Sequence, residues 1–196
     1  MTDEQTIATY NAKAQDYVDF VSTDKPTRHL KAFMDALPKG GTALDLGCGP
    51  GNSAAMMRDA GFAVTAIDAS PKMAELGARK YNIPIVVGTF DDVTQTAIYD
   101  GVWASFSLLH APRTDIPRHL KSIHTALKPG GVFVIGVKTG TGAERDRIGR
   151  QYTYFEPQEL NTLLIEAGFA PKSSVTGSDK GLAGDIEPWI IVTAHA

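Results

Sequence analysis

The chain has 196 residues, 43% of them hydrophobic, with 22 acidic against 19 basic side chains and a single cysteine. That length suits one domain with a substantial core, and a formal charge of −3 gives no general attraction to a polyanion, so nucleic acid is not the expected partner. One cysteine excludes an internal disulfide and a Cys-x-x-Cys metal pair, and no apolar run approaches the ~18 residues of a membrane span. The N-terminus lacks the basic start and apolar stretch of a secretory leader, so a soluble cytoplasmic protein is expected.

Ile7, Tyr10, Ala14, Tyr17 and Val21 recur at helical spacing and predict one amphipathic N-terminal helix. Leu30, Phe33, Met34 and Leu37 form a second helical stripe, stopped by Pro38 and the Gly40-Gly41 pair. Thr42 to Leu46 reads as a first strand, Asn52 to Ala60 as a helix closed by Gly61, and Phe62 to Asp68 as a second strand. Ser70 and Pro71 supply an N-cap and a first-turn proline for a helix reaching about Lys80, and Pro84 to Val87 makes a short third strand. The weakly patterned 91–98 reads as a turn or short helix, and Asp100 to Ser105 as a fourth strand. Leu120, Ile123 and Leu127 line a helix ending in Lys-Pro-Gly-Gly at 128–131. Val132 to Val137 is a uniformly apolar fifth strand, as expected where both sheet faces are covered. A Gly-, Lys- and Arg-rich loop spans 138–151, Glu156-Pro157 opens a helix, and 169–176 and 188–194 are two late strands.

Strand and helix alternate from 42 to 168, which predicts an α/β, doubly wound parallel sheet. The last two strands have no helix between them and should pair antiparallel. With no internal repeat and no linker, residues 1–196 read as a single domain, with N-terminal helices in 1–39 and the core in 40–196.

The densest signal is Leu44-Asp-Leu-Gly-Cys-Gly-Pro-Gly51, a strand running into glycines spaced G-x-G-x-G and then a helix. Gly47, Gly49 and Gly51 let backbone approach a ligand, and the N–H groups opening the next helix point into the same crevice. Asp45 lies two residues before the first glycine, and an acid inside an apolar strand needs a partner when buried. Asp68 ends the second strand about twenty residues beyond the turn, where an acid accepts hydrogen bonds from two ribose hydroxyls. Dinucleotide-dependent oxidoreductases share this pair of features, so an NAD-dependent enzyme is one alternative. Asn52, however, stands where G-x-G-x-x-G needs its last glycine.

Five phrases occur in order: Leu-Asp-Leu-Gly-Cys-Gly-Pro-Gly (44–51), Ile-Asp-Ala-Ser-Pro-Lys-Met (67–73), Tyr-Asp-Gly-Val-Trp-Ala (99–104), Leu-Leu-His (108–110) and Leu-Lys-Pro-Gly-Gly (127–131). Over roughly residues 40–170 they resemble the class I S-adenosylmethionine-dependent methyltransferases. The resemblance implies a seven-stranded Rossmann-like sheet, mostly parallel with an antiparallel C-terminal strand, and S-adenosyl-L-methionine as cofactor. It implies methyl transfer, for which the small, acidic chain with no appended recognition module favours a small-molecule acceptor, with a non-catalytic S-adenosylmethionine-binding protein as a further alternative.

By position, the resemblance implies that Asp45 holds the methionine amino end and that Gly47 and Gly49 let the donor lie close. Cys48 is a small residue fitting between them. Asp68 would grip the ribose, Ala69 and Met73 would cover an adenine face, and Ala104 and Ser105 would reach the methionine portion. Thr89 stands where many relatives carry an Asp for the adenine amino group, which leaves that contact among Thr89, Phe90 and Asp91. Tyr10 and Tyr17 either pack onto the sheet or line the pocket from a lid formed by the N-terminal helices. His110 is either a general base or a residue that fixes its loop and walls the pocket. Lys138, Arg145, Arg147 and Arg150 are either solvated surface or the seat of an anionic acceptor. Five scattered histidines suggest no metal site.

Overall fold

The computed structural model describes residues 3–21 and 25–196. Its strands are β1 (Thr42–Leu46), β2 (Ala63–Asp68), β3 (Val86–Val87), β4 (Tyr99–Ser105), β5 (Leu127–Lys138), β6 (Ala143–Arg145), β7 (Gln151–Thr153), β8 (Ala170–Lys180) and β9 (Ile186–His195). Seven of them form one sheet in the order β3-β2-β1-β4-β5-β9-β8, while β6 and β7 make a separate hairpin. β2, β1, β4 and β5 run parallel, and β9 lies antiparallel between β5 and β8. The helices are α1 (Glu4–Ala12), α2 (Ala14–Val21), α3 (Arg28–Ala36), α4 (Asn52–Asp59), α5 (Pro71–Tyr81), α6 (Ile116–Ala126) and α7 (Pro157–Glu166). None of the described helices is long and apolar enough to cross a membrane.

The two-residue period of the strands splits the core into two layers. Leu44, Leu46, Val102, Phe133 and Ile135 face α6 and α7, packing on Leu120, Ile123, Leu160 and Leu164. Ala43, Trp103, Val132 and Val134 face the other way and pack with Leu30 and Phe33 of α3 and Met57 of α4. β1 sits between β2 and β4, so the chain winds away from it in both directions. The crevice beyond the carboxyl ends of such a pair is where an open α/β sheet binds its ligand.

Four expectations need correction. The N-terminal helix is two helices, because the backbone kinks at Lys13 (φ −108°, ψ 19°). Lys-Pro-Gly-Gly is not a turn outside the sheet. β5 starts at Leu127, paired with Tyr99, and 128–131 bulge before Val132 pairs with Gly101. Lys128 Nζ holds that bulge through Asp100, 2.8 Å away. Inside the expected loop 138–151, β6 pairs with β7, and the Asp146 carboxylate closes their connection by accepting from the Ile148 and Arg150 N–H groups at 3.1 and 2.9 Å. The two late strands are also longer than expected and stay paired with each other past the last β5–β9 pair, Lys138 with Trp189.

Candidate functional site

At the end of β1 the backbone takes left-handed values at Gly47 (φ +69°) and Gly49 (φ +56°), where a side chain would be strained. A Cβ on Gly47 would come within 2.3 Å of Ser107 Cβ, and one on Gly49 within 3.0 Å of the Tyr17 ring. The bare turn therefore admits neighbours of the protein itself as well as leaving backbone open. The N–H groups of Gly47 and Cys48 both donate to the Ile67 carbonyl, at 2.8 and 3.0 Å, which folds the turn back onto β2. Ser107 Oγ donates to the Leu46 carbonyl at 2.6 Å and ties the loop after β4 to the same point.

Asp68 is positioned by backbone. One carboxylate oxygen accepts the Gly49 N–H at 2.7 Å and the other the Ser70 N–H at 2.8 Å. Burial outweighs both bonds and pushes its pKa up to about 6. Asp45 is 2% exposed, and its Oδ2 has no hydrogen-bond partner among the described residues. Burial pushes this carboxyl up to about 8, the Ala54 N–H opposes the rise, and the charge on Asp68 adds to it. A buried carboxylate oxygen without a donor costs free energy unless a ligand N–H or cation completes it.

Two cavities open at this crevice. One is smaller and the other larger. Tyr10, Tyr17, Gly47 and Phe106 line both, so the two share a wall. Gly49, Asp68, Ala69, Met73, Thr89, Phe90 and His110 face the smaller one, and Asp45, Cys48 and Ser105 the larger. Fourteen sequence-derived positions carry a binding expectation alongside His110, and two of them, Asp91 and Ala104, line neither cavity. A reciprocal cap between Thr89 and Asp92 sets a 3₁₀ turn at Phe90–Asp92, and Asp91 pairs with Arg118 instead. Ala104 is fully buried in the sheet.

The N-terminal helices form part of the site wall. Tyr10 Oη lies 2.8 Å from His110 Nε2 and accepts from Arg150 Nη1 at 3.1 Å. His110 Nδ1 lies 2.7 Å from the Gln151 carbonyl, which can only accept, so Nδ1 carries the proton and Nε2 accepts from Tyr10. Burial lowers His110 to about 4, which keeps the ring neutral. Both ring nitrogens are thus engaged within the wall. Asn11 Oδ1, the acceptor for Ser70 Oγ at 2.7 Å, ties α1 to the start of α5.

The cation cluster divides. Arg145 pairs with Asp3 and Arg147 with Asp185, both outside the cavities. Lys138 and Arg150 do line the larger cavity, yet Lys138 pairs with Glu187 and Arg150 with Asp146. Phe106, Ser107, Tyr152 and Trp189 are site residues that the motifs did not single out.

Residues 43–131 match the sequence profile described as a methyltransferase domain. The chain is 36% identical, over 91% of its length, to the 2-methyl-6-phytyl-1,4-hydroquinone methyltransferase of Synechocystis sp., and spans 59% of that protein. It is 30% identical over 81% of its length to the S-adenosyl-L-methionine-dependent Diels-Alderase iccD of Talaromyces variabilis, spanning 58% of it. Among solved structures, the Burkholderia thailandensis 1,6-didemethyltoxoflavin-N1-methyltransferase, with bound 1,6-didemethyltoxoflavin and S-adenosylhomocysteine, superposes with a TM-score of 0.77. Identity there is 26%, covering 96% of this chain and 86% of that one. The strand order, the glycine turn between two buried acids and these likenesses agree: the chain carries a methyltransferase-domain profile over residues 43–131 and is similar in fold and sequence to class I S-adenosylmethionine-dependent methyltransferases.

Proposed function

We propose that this protein transfers a methyl group from S-adenosylmethionine to a small-molecule acceptor, with residues 1–196 acting as one domain and α1–α2 as the lid. The observation that carries the reading is Asp45: a buried carboxylate with an unpartnered oxygen, beside a glycine turn and Asp68. The methionine ammonium would complete Asp45. Lone pairs left on Asp68 would accept from the ribose hydroxyls, and Met73, Thr89 and Phe90 would enclose the adenine in the smaller cavity. When bound, S-adenosylmethionine supplies an electrophilic methyl on a sulfonium and leaves as a neutral thioether. The chain's own work is alignment. The turn holds the donor on backbone, and the shared wall of Tyr10, Tyr17 and Phe106 sets where an acceptor in the larger cavity meets it.

An NAD-dependent oxidoreductase is disfavoured by the antiparallel β9 inserted between β5 and β8 and by Asn52 at the third glycine position. The similar proteins named for a hydroquinone and for 1,6-didemethyltoxoflavin support a small-molecule acceptor. A cytoplasmic setting fits a chain whose one thiol, Cys48, is free and buried. The test is an acceptor screen following S-adenosylhomocysteine release, expected to give turnover with at least one small molecule. Tight donor binding with no release across the screen would favour a non-methylating role.

A further inference from the structure

The larger cavity has two properties that point in one direction. Its two buried cations are already paired, Lys138 with Glu187 and Arg150 with Asp146, and Asp179 accepts the Trp189 indole N–H at 2.8 Å, while the exposed Lys180 also lines it. Both wall cations also lie over the Tyr152 ring, Lys138 Nζ at 3.7 Å and the Arg150 guanidinium carbon at 5.1 Å from its centroid. An anionic guest seated on either buried cation would have to break its pair and leave a half-buried carboxylate uncompensated, whereas a neutral guest leaves both intact.

The second property is aromatic. Phe106 and Trp189 stand edge to face with centroids 6.3 Å apart, and Trp103 and Tyr152 complete that side. Phe106 has φ +55°, a value a bulky residue rarely adopts, held by its N–H on the Gly136 carbonyl at 2.9 Å. Such strain persists where surrounding structure imposes it, and it clusters at binding sites. Here it delivers a ring to the wall shared by both cavities.

Resting on the donor and acceptor assignment above, we propose that the larger cavity takes a flat, uncharged aromatic acceptor packed against Phe106 and Trp189, its nucleophilic atom turned past Phe106 towards the methyl. Equilibrium dialysis of the full chain with three matched probes tests this: 2-naphthol, decahydro-2-naphthol (similar size, saturated) and 2-naphthoate (same ring, anionic). Each is run with and without S-adenosylhomocysteine. 2-Naphthol should bind about three- to tenfold more tightly than the saturated alcohol, the range one aromatic contact supplies, and more tightly still than the carboxylate. Trp189→Leu, which touches only the larger cavity, should lower naphthol affinity by a similar factor and leave S-adenosylhomocysteine affinity unchanged. Phe106→Leu, which removes the ring but keeps the bulk, should repeat the loss. Equal binding of the two alcohols, tightest binding of the carboxylate, no naphthol binding, or wild-type naphthol affinity in both variants would overturn the proposal. Failure of S-adenosylhomocysteine to bind the wild type would strike the donor assignment instead, and the dialysis without it would still decide the aromatic preference.

Discussion

The two cavities meet at one wall but are built in different ways. The smaller is made largely from backbone and from residues close in sequence: the turn at 47–49, Asp68 held by the N–H groups of Gly49 and Ser70, and a helix start capped by Ser70. The larger is made from side chains brought together across the chain. Tyr10 meets Arg150 from 140 residues away and Lys138 meets Glu187 from 49. A site built on backbone needs particular φ values and caps, and these leave local marks in a sequence. A side-chain site needs only tertiary packing, which leaves none. The cavity built on backbone is therefore the more legible of the two in the sequence.

If the donor side depends on backbone-held acids, Asp68→Ala should have the largest effect. It removes an acceptor for two ribose hydroxyls at about 1.5–3 kcal/mol each and strands two backbone N–H groups, so donor affinity should fall about 100-fold or more by calorimetry. A loss below tenfold would mean that Asp68 serves the turn alone.

Gly47→Ala comes next. It combines a left-handed backbone with a Cβ 2.3 Å from Ser107 Cβ, and should destabilise the fold by roughly 2–4 kcal/mol in denaturant titration. Adding Ser107→Gly should recover the steric part and leave the backbone part. No recovery would place the whole cost in the backbone.

Tyr10→Phe is the mildest change and reports on the assembled side. It leaves His110 Nε2 and one Arg150 N–H unpaired, at about 1–2 kcal/mol of stability. The His110 ring should stay neutral down to about pH 5 by NMR, since burial lowers it to about 4. Its folded pKa lies below its unfolded one, so its contribution to stability is complete above about pH 6.5 and is lost as the pH falls towards 4. A histidine titrating near 6.5 would contradict this wiring.

The same contrast governs what could be read from the chain. Five strands of the parallel sheet, α3 to α7 and the antiparallel final pair were legible, because periodicity and caps are local. The kink at Lys13 was not, because it lies within one continuous apolar stripe. The β6–β7 hairpin was hidden because its connection is closed by the Asp146 side chain, so a Gly- and Arg-rich segment read only as loop. Thr89, Phe90 and Asp91 could not be separated, because what turns Asp91 away is Arg118, 27 residues on. For the four cations, surface and anion site stay open in the sequence because most of their carboxylates are distant, Asp3 being 142 residues from Arg145, and only Asp146 lies close to its partner, Arg150. Phe106 was missed because nothing in a sequence announces a left-handed phenylalanine.

The central claim is that a glycine turn with Asp45 and Asp68 holds the donor by its ammonium and ribose. Both carboxyls sit above their unfolded pKa, at about 8 and about 6, so the free protein should lose stability as the pH rises from about 4 through 8, and a cationic ligand should restore it. The most direct measurement is calorimetric titration of S-adenosylhomocysteine at pH 7 in two buffers of different ionisation heat. We expect saturable binding with release of close to one proton as Asp45 ionises, roughly 0.9 for a pKa near 8, and loss of that release in Asp45→Asn. Binding without proton release, or no binding at all, would contradict the account.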